Sequence, residues 1–172
     1  MEMERSAPTL LWRLGDADAR ALAWIARRRG PTLVAFARAA TRTGDGLTVV
    51  LGLALSLLAW PGRVTALAAG STILGLGLFS LAKRLCNRPR PASVHMVLAA
   101  PDRFSLPSGH STSAWAIAVA VAVAAPPLAA PILVWAALVA ASRVVLGVHY
   151  PLDVVAGIVL GTLSALTLGS LF

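Results

Sequence analysis

Charge is scarce in this 172-residue chain: charged residues make up 13% of it, against about 25% in an average soluble domain. Hydrophobic residues make up 58% and the mean hydropathy is +0.78, which excludes an ordinary soluble domain and implies a membrane protein. Cysteine occurs once, at Cys86, so an intramolecular disulfide is excluded. Carboxylates are scarce, 7 against 15 Lys and Arg, for a net charge of +8. That basicity has no basic helix face interleaved with exposed aromatics, so it does not mark a nucleic-acid partner. Anionic headgroups or an anionic substrate fit it. The first 46 residues hold eight Arg and five acidic residues without an uninterrupted apolar core, so no signal peptide is expected.

Against this background, the few charges set inside apolar sequence carry the information. The stretch Ser142-Arg143-Val-Val-Leu-Gly-Val-His149-Tyr-Pro151-Leu-Asp153 places a cation, an imidazole and a carboxylate where such groups are costly in hydrocarbon. Proline is tolerated in the first turn of a helix, so a helix is expected to start near Tyr150, with His149 just outside it and Asp153 in its first turn. A carboxylate four residues after an imidazole can reach back to one ring nitrogen, leaving the other free as base, nucleophile or ligand. Arg143 adds a planar cation able to hold a phosphate or carboxylate at two points. Taken alone, the stretch also admits a bland reading. An Arg and an Asp near a helix end can simply pair and snorkel, and a lone His is commonly structural.

From Thr9 to Thr43, apolar positions such as Leu10, Leu14, Leu22, Trp24 and Phe36 are interrupted by Arg and Asp, and Gly30-Pro31 divides the segment. Residues 1–43 are therefore expected to form two amphipathic helices in the membrane interface, Arg heads in the phosphate layer and Trp at the boundary. A cytosolic helical hairpin is the other reading of this pattern. Residues 44–172 are expected to form one membrane-embedded domain. Leu47 to Trp60 is continuously apolar but short for a core of about 30 Å at about 1.5 Å per residue, so that span is expected to begin near Thr43. Val64 to Ala82 supplies a second span, Ser111 to Ala125 a third, Pro131 to Leu146 a fourth and Leu152 to Phe172 a fifth, with reversals at Pro61-Gly62-Arg63 and Pro126-Pro127.

Between the second and third spans lie Lys83-Arg84-Leu-Cys86-Asn87-Arg88-Pro89-Arg90-Pro91 and, further on, Leu106-Pro107-Ser108-Gly109-His110. The X-Pro steps force extended backbone after Asn87 and display the cations at one membrane face. Charge alone reads them as headgroup anchors. Ser108 or a neighbour is expected near a helix N-terminus, where unpaired N–H groups favour an anion, and Gly109 lets backbone approach it. His110 at the mouth of that concavity can give a proton to a leaving group or be a satisfied structural histidine. Span parity puts all three charged segments on one face.

The pattern Lys83-x6-Arg90-Pro91, then Pro107-Ser108-Gly109-His110, then Ser142-Arg143-x5-His149-x3-Asp153 resembles the three-part signature of the type 2 phosphatidic acid phosphatase and haloperoxidase superfamily. The resemblance covers roughly residues 40 to 170. It implies that Lys83, Arg90 and Arg143 neutralise phosphate oxygens, with Ser108 and the Gly109 N–H completing the cradle. It implies that His149 attacks phosphorus to give a phosphohistidine, that Asp153 orients and stabilises its ring, and that His110 protonates the leaving group and then activates water. Fixed cations can carry the charge a metal would otherwise carry, and the sequence has no carboxylate pair near the site, so no metal or cofactor is expected. Arg84, Arg88, Arg103 and His95 fall outside the signature and are read as headgroup contacts or solvated charge, and Cys86 as inert.

These expectations amount to an all-α polytopic helical membrane bundle, about five transmembrane helices plus N-terminal interfacial helices, with its site at the headgroup layer. The resemblance implies hydrolysis of a lipid phosphate or diphosphate: undecaprenyl diphosphate, phosphatidylglycerol phosphate, phosphatidate, lipid A phosphate or a polyprenyl-phosphosugar phosphate. Rival classes are a vanadate-dependent haloperoxidase and a non-enzymatic headgroup-binding protein. The 31 uncharged residues from Ser111 to Ala141 argue against the first, and intact His110, His149 and Asp153 against the second. The positive-inside tendency favours a cytoplasmic site, the habit of bacterial relatives an extracytoplasmic one at the plasma membrane, and the second is taken as the expectation.

Overall fold

The computed structural model describes residues 10–59, 62–91, 95–99 and 102–171. Within them seven α-helices follow one another: α1 Leu10–Arg28, α2 Pro31–Thr43, α3 Gly46–Ala59, α4 Arg63–Cys86, α5 Gly109–Ala124, α6 Ala129–Val145 and α7 Pro151–Gly169. Among the described residues there is no strand, only an isolated bridge between Pro89 and Phe104. Thr9, Trp60, Pro61 and Phe172, used as boundaries in the sequence, lie outside the described residues.

Helix ends fall where the backbone chemistry requires. Gly30 is the N-cap of α2 with Pro31 in its first turn, and Tyr150 is the N-cap of α7 with Pro151 first. Asn87 ends α4 in the left-handed region at φ 44°, and Pro126–Leu128 form a single 3-10 turn before α6. One boundary differs from expectation. The first apolar span does not begin near Thr43, because the Gly44 N–H turns back to Thr41 O and the Asp45 N–H to Arg42 O, which closes α2 there. The apolar helix α3 starts at Gly46 and, with 14 residues, reaches about 21 Å.

α5 is the central helix, packed by α4, α6 and α7. Its inner faces are alanine: Ala114 and Ala118 meet Ala136 and Val139 of α6, while Ala120 meets Leu67, Ala68 and Ala165 of α4 and α7. Small residues let backbones approach where lipid supplies no hydrophobic drive. The seam with α7 is the closest: a Cβ on Gly157 would stand 2.5 Å from Ser108 O, and one on Gly161 2.4 Å from Thr112 O. Outside the core, Leu47, Leu51, Leu58, Ile73, Val134 and Leu163 face outward, as in a bundle solvated by lipid.

Three helical stretches, Arg63–Cys86, Pro126–Val145 and Pro151–Gly169, are long and apolar enough to cross a membrane, and α3 and α5 are shorter apolar helices. The chain is a multi-pass helical membrane bundle. The amphipathic α1 and α2 pack onto it: Leu22 clusters with Ala140, Val144 and Val154, and Ala37 with Leu146 and Val148. At one end of the bundle the C-termini of α2, α4 and α6 meet the N-termini of α3, α5 and α7.

Candidate active site

His149 is placed by the turn between α6 and α7. Gly147 has φ +73° there, and a Cβ on it would lie 1.8 Å from the His95 carbonyl oxygen, so only glycine fits. The N–H groups of Val148 and His149 both bond to Arg143 O, at 3.2 and 3.4 Å, which folds the turn back over the end of α6. The imidazole is buried. Its Nδ1 donates to Ser105 O at 2.7 Å, which fixes the tautomer and leaves the lone pair on Nε2. Arg90 Nη1 stands 3.3 Å from that Nε2 and also donates to Val148 O at 2.7 Å. Burial pushes the pKa of His149 down, the cations Arg143 and Arg90 push it the same way, and Asp153 opposes them.

The Asp153 carboxylate lies 3.7 Å from His149 Nδ1, in electrostatic reach but beyond hydrogen-bond length. The direct hydrogen bond expected from the four-residue spacing goes to Ser105 O instead. Asp153 is held in its own helix turn: Oδ2 accepts the Tyr150 N–H at 2.8 Å, and Oδ1 accepts from Arg88 Nη1 at 2.8 Å. Arg88 was read as headgroup contact or solvated charge. In the fold its Nη2 pairs with Asp18 at 2.7 Å and its guanidinium lies 4.1 Å over the Tyr150 ring. Two carboxylates, one from α1 and one from α7, draw it inward.

Arg143 is buried, and its Nη1 donates to Thr41 Oγ1 at 2.6 Å. Its Nε has no hydrogen-bond partner among the described residues. His110, in the first turn of α5, pairs through Nε2 with Asp45 Oδ1 at 2.8 Å. Lys83 and Arg90 share Asp102: Lys83 Nζ lies 2.6 Å from Oδ2, and Arg90 Nη2 lies 2.9 Å from Oδ1. Burial alone would raise the pKa of Asp102, but the hydrogen bonds from Lys83 and Arg90 outweigh it and hold the carboxyl below its usual range. Ser108 caps α5, its Oγ accepting from Ser111 N–H at 3.4 Å, while its own N–H donates to Asp153 O at 2.9 Å. The second signature segment is thereby bonded to the third. A Cβ on Gly109 would stand 3.2 Å from the Phe79 ring, tighter than an ordinary contact.

All three segments meet in one region. Lys83 and Arg90 are joined through Asp102, Arg90 touches His149, Ser108 touches the Asp153 backbone, and Arg143 acts on His149 electrostatically. Thr41, Asp45, Asp18, Ser105 and Asp102 were missed by sequence reading. The acidic ones had a signal, since carboxylates in an acid-poor, apolar chain need partners. His95 contributes its carbonyl, which accepts from Arg29 Nη2 at 2.8 Å, while Arg84, Arg103 and Cys86 are exposed. An apolar cavity of about 460 Å³ adjoins His110, lined by Gly44, Val49, Leu53, Ile73 and Leu76 of the α2–α3 turn, α3 and α4.

Known proteins resemble this chain in sequence and fold. The profile of the PAP2 superfamily matches residues 64–171. A decaprenylphosphoryl-5-phosphoribose phosphatase of Mycobacterium tuberculosis is 34% identical over 136 residues, 76% of this chain and 76% of that protein. A protein of the same name from Mycolicibacterium smegmatis is 44% identical over 81 residues, 44% of this chain and 42% of that protein. The crystal structure of a transmembrane PAP2-type phosphatidylglycerolphosphate phosphatase from Bacillus subtilis superposes with a TM-score of 0.79 at 25% identity, covering 92% of this chain and 86% of that one. The match spans the apolar helices α4 to α7 and all three charged segments, and on it the chain belongs to the PAP2 superfamily.

Proposed function

We propose that this membrane enzyme hydrolyses the phosphate of an amphiphilic lipid phosphate by a metal-independent route through a phosphohistidine at His149. The observation that carries the reading is the 3.3 Å contact of Arg90 Nη1 with His149 Nε2 while Nδ1 donates to Ser105 O. A neutral imidazole with its lone pair beside a fixed cation is a nucleophile aimed at an anion's binding place. Phosphoryl transfer gathers negative charge on the equatorial oxygens, which Lys83, Arg90 and Arg143 stabilise, with Ser108 and the Gly109 N–H at the helix N-terminus. His149 Nε2 forms the N–P bond as the P–O bond to the leaving group breaks, and protonated His110 gives that oxygen its proton. His110 then takes a proton from water as the water oxygen attacks phosphorus and the N–P bond breaks. The Asp153 carboxylate stabilises the positive ring of the intermediate.

The apolar cavity beside His110 and the outward apolar faces support a substrate whose tail stays in the bilayer. They also disfavour the soluble haloperoxidase reading. Similarity to the mycobacterial proteins supports a polyprenyl-phosphosugar phosphate as the first candidate, ahead of a phosphatidylglycerol phosphate or a polyprenyl diphosphate. We place the site at the extracytoplasmic face of the plasma membrane. Purified protein in detergent micelles, assayed against a panel of these lipid mono- and diphosphates, is expected to release inorganic phosphate. No release from any of them would overturn the reading.

A further inference from the structure

We infer that Asp18, on α1, is a positioning residue for the nucleophilic imidazole, acting through Arg88 on Asp153; the inference rests on the role of His149 proposed above. Asp18 is 5% exposed and lies outside the matched stretch 64–171. Its Oδ2 stands 2.7 Å from Arg88 Nη2, and its Oδ1 accepts the Leu152 N–H at 3.0 Å, at the start of α7. Arg88 passes the contact on through Nη1 to Asp153 Oδ1 at 2.8 Å, and Asp153 Oδ2 ends 3.7 Å from His149 Nδ1. The planar guanidinium suits this bridge because separate nitrogens serve separate carboxylates.

The charge count gives the chain its purpose. With Asp153 alone, Arg88 would neutralise the carboxylate that faces the ring. With Asp18 on its other side, one cation is shared between two anions, and Asp153 keeps negative charge for the ring when attack on phosphorus makes it positive. Asp18 also holds the first turn of α7, from which both Asp153 and the His149 turn are set. An amphipathic helix outside the family's matched region therefore completes the nucleophile's support.

The test uses the full-length enzyme in detergent micelles with dioctanoyl phosphatidate. Asp18→Asn is expected to lower kcat about 10- to 100-fold, as small misplacements of reacting groups do, with KM and the Ki for inorganic phosphate changed by no more than about twofold. A general loosening of the fold would weaken phosphate binding too. Arg88→Gln is expected to lose at least as much, and the double variant Asp18→Asn/Arg88→Gln no more than Arg88→Gln alone, since both act along one path. Wild-type kcat in Asp18→Asn, a parallel loss of phosphate affinity, or multiplied effects in the double variant would overturn the inference. If Asp18→Asn does not accumulate folded, Arg88→Lys replaces it, because a single ammonium cannot bridge the two carboxylates and the same kcat loss is expected. His149→Ala assayed alongside separates the two ideas. Turnover there sinks the reading of the site, whereas an inactive His149→Ala beside a normal Asp18→Asn sinks only this one.

Discussion

Arg143 Nη1 donates to Thr41 Oγ1 at 2.6 Å, tying the last turn of α6 to the last turn of α2 across 102 residues of sequence. The bond uses one prong of a buried guanidinium, whose Nε has no hydrogen-bond partner among the described residues. Thr41→Val should therefore strand a buried charged donor, at about 1–3 kcal/mol of stability, read as a lowered midpoint of thermal unfolding in micelles. Arg143→Lys should lower kcat/KM at least about tenfold, because a point charge cannot serve both Thr41 and a phosphate oxygen. Near-normal efficiency in Arg143→Lys would mean that Arg143 only snorkels.

The two histidines should separate by phenotype. His149→Ala is expected to abolish both turnover and acid-labile phosphoenzyme. His110→Ala should slow turnover about 10²- to 10⁴-fold, the range for losing a positioned proton donor. Rapid-quench trapping of labelled enzyme distinguishes them, and phosphoenzyme in His149→Ala would reassign the nucleophile.

Protonation gives a third expectation. In the proposed mechanism the reactive form of His149 is the neutral ring, and burial with nearby Arg143 and Arg90 lowers its pKa from the ordinary 6.5. As pH falls, the ring therefore stays neutral past 6.5 and gains its proton only at more acid pH, and nucleophile-dependent activity should persist over the same interval. Nitrogen-15 NMR of the ring across a pH series measures the midpoint directly. A value at or above 6.5 contradicts the environment described here.

Phosphate release in excess EDTA should match release without it. Lys83, Arg90 and Arg143 are expected to supply the charge stabilisation, each as a permanent part of the chain. Loss of activity on chelation, restored by added magnesium, would replace the metal-independent route with a metal-assisted one.

Orientation can be read from the lone thiol. Cys86 is exposed at the end of α4, three residues beyond Lys83. A membrane-impermeant maleimide should label it in intact cells if the site faces outward, while a cysteine placed at Arg63, at the opposite end of the same helix, should be protected. The reverse pattern would put the site on the cytoplasmic side.

Much of this architecture was legible in the sequence because it is local. Gly30-Pro31, Pro126-Pro127 and Tyr150-Pro151 act through the backbone of their own residues, so the starts of α2 and α7 and the reversal before α6 could be read directly. The start of α3 was misjudged because nothing in the residue types says that the Gly44 N–H will turn back to Thr41 O and the Asp45 N–H to Arg42 O. The signature residues share a region, as their spacing and the parity of the spans implied. Their partners were hidden for a different reason. The Arg88–Asp153 and His110–Asp45 pairs each span 65 residues, and the ring's acceptor at Ser105 is a backbone carbonyl, which no side-chain pattern records. Arg88 was misassigned because charge type does not tell whether a guanidinium meets water or two buried carboxylates.

The glycine seam between α5 and α7 has a mechanical meaning. With Gly157 against Ser108 O and Gly161 against Thr112 O, the two backbones leave no slack for one to slide along the other. When the bilayer thins or thickens and helices retilt to match it, the peripheral α3 can adjust while the inner pair travels as one strut. The spacing of the three charged segments is then insulated from lipid composition, and an enzyme so built keeps its alignment as its membrane changes.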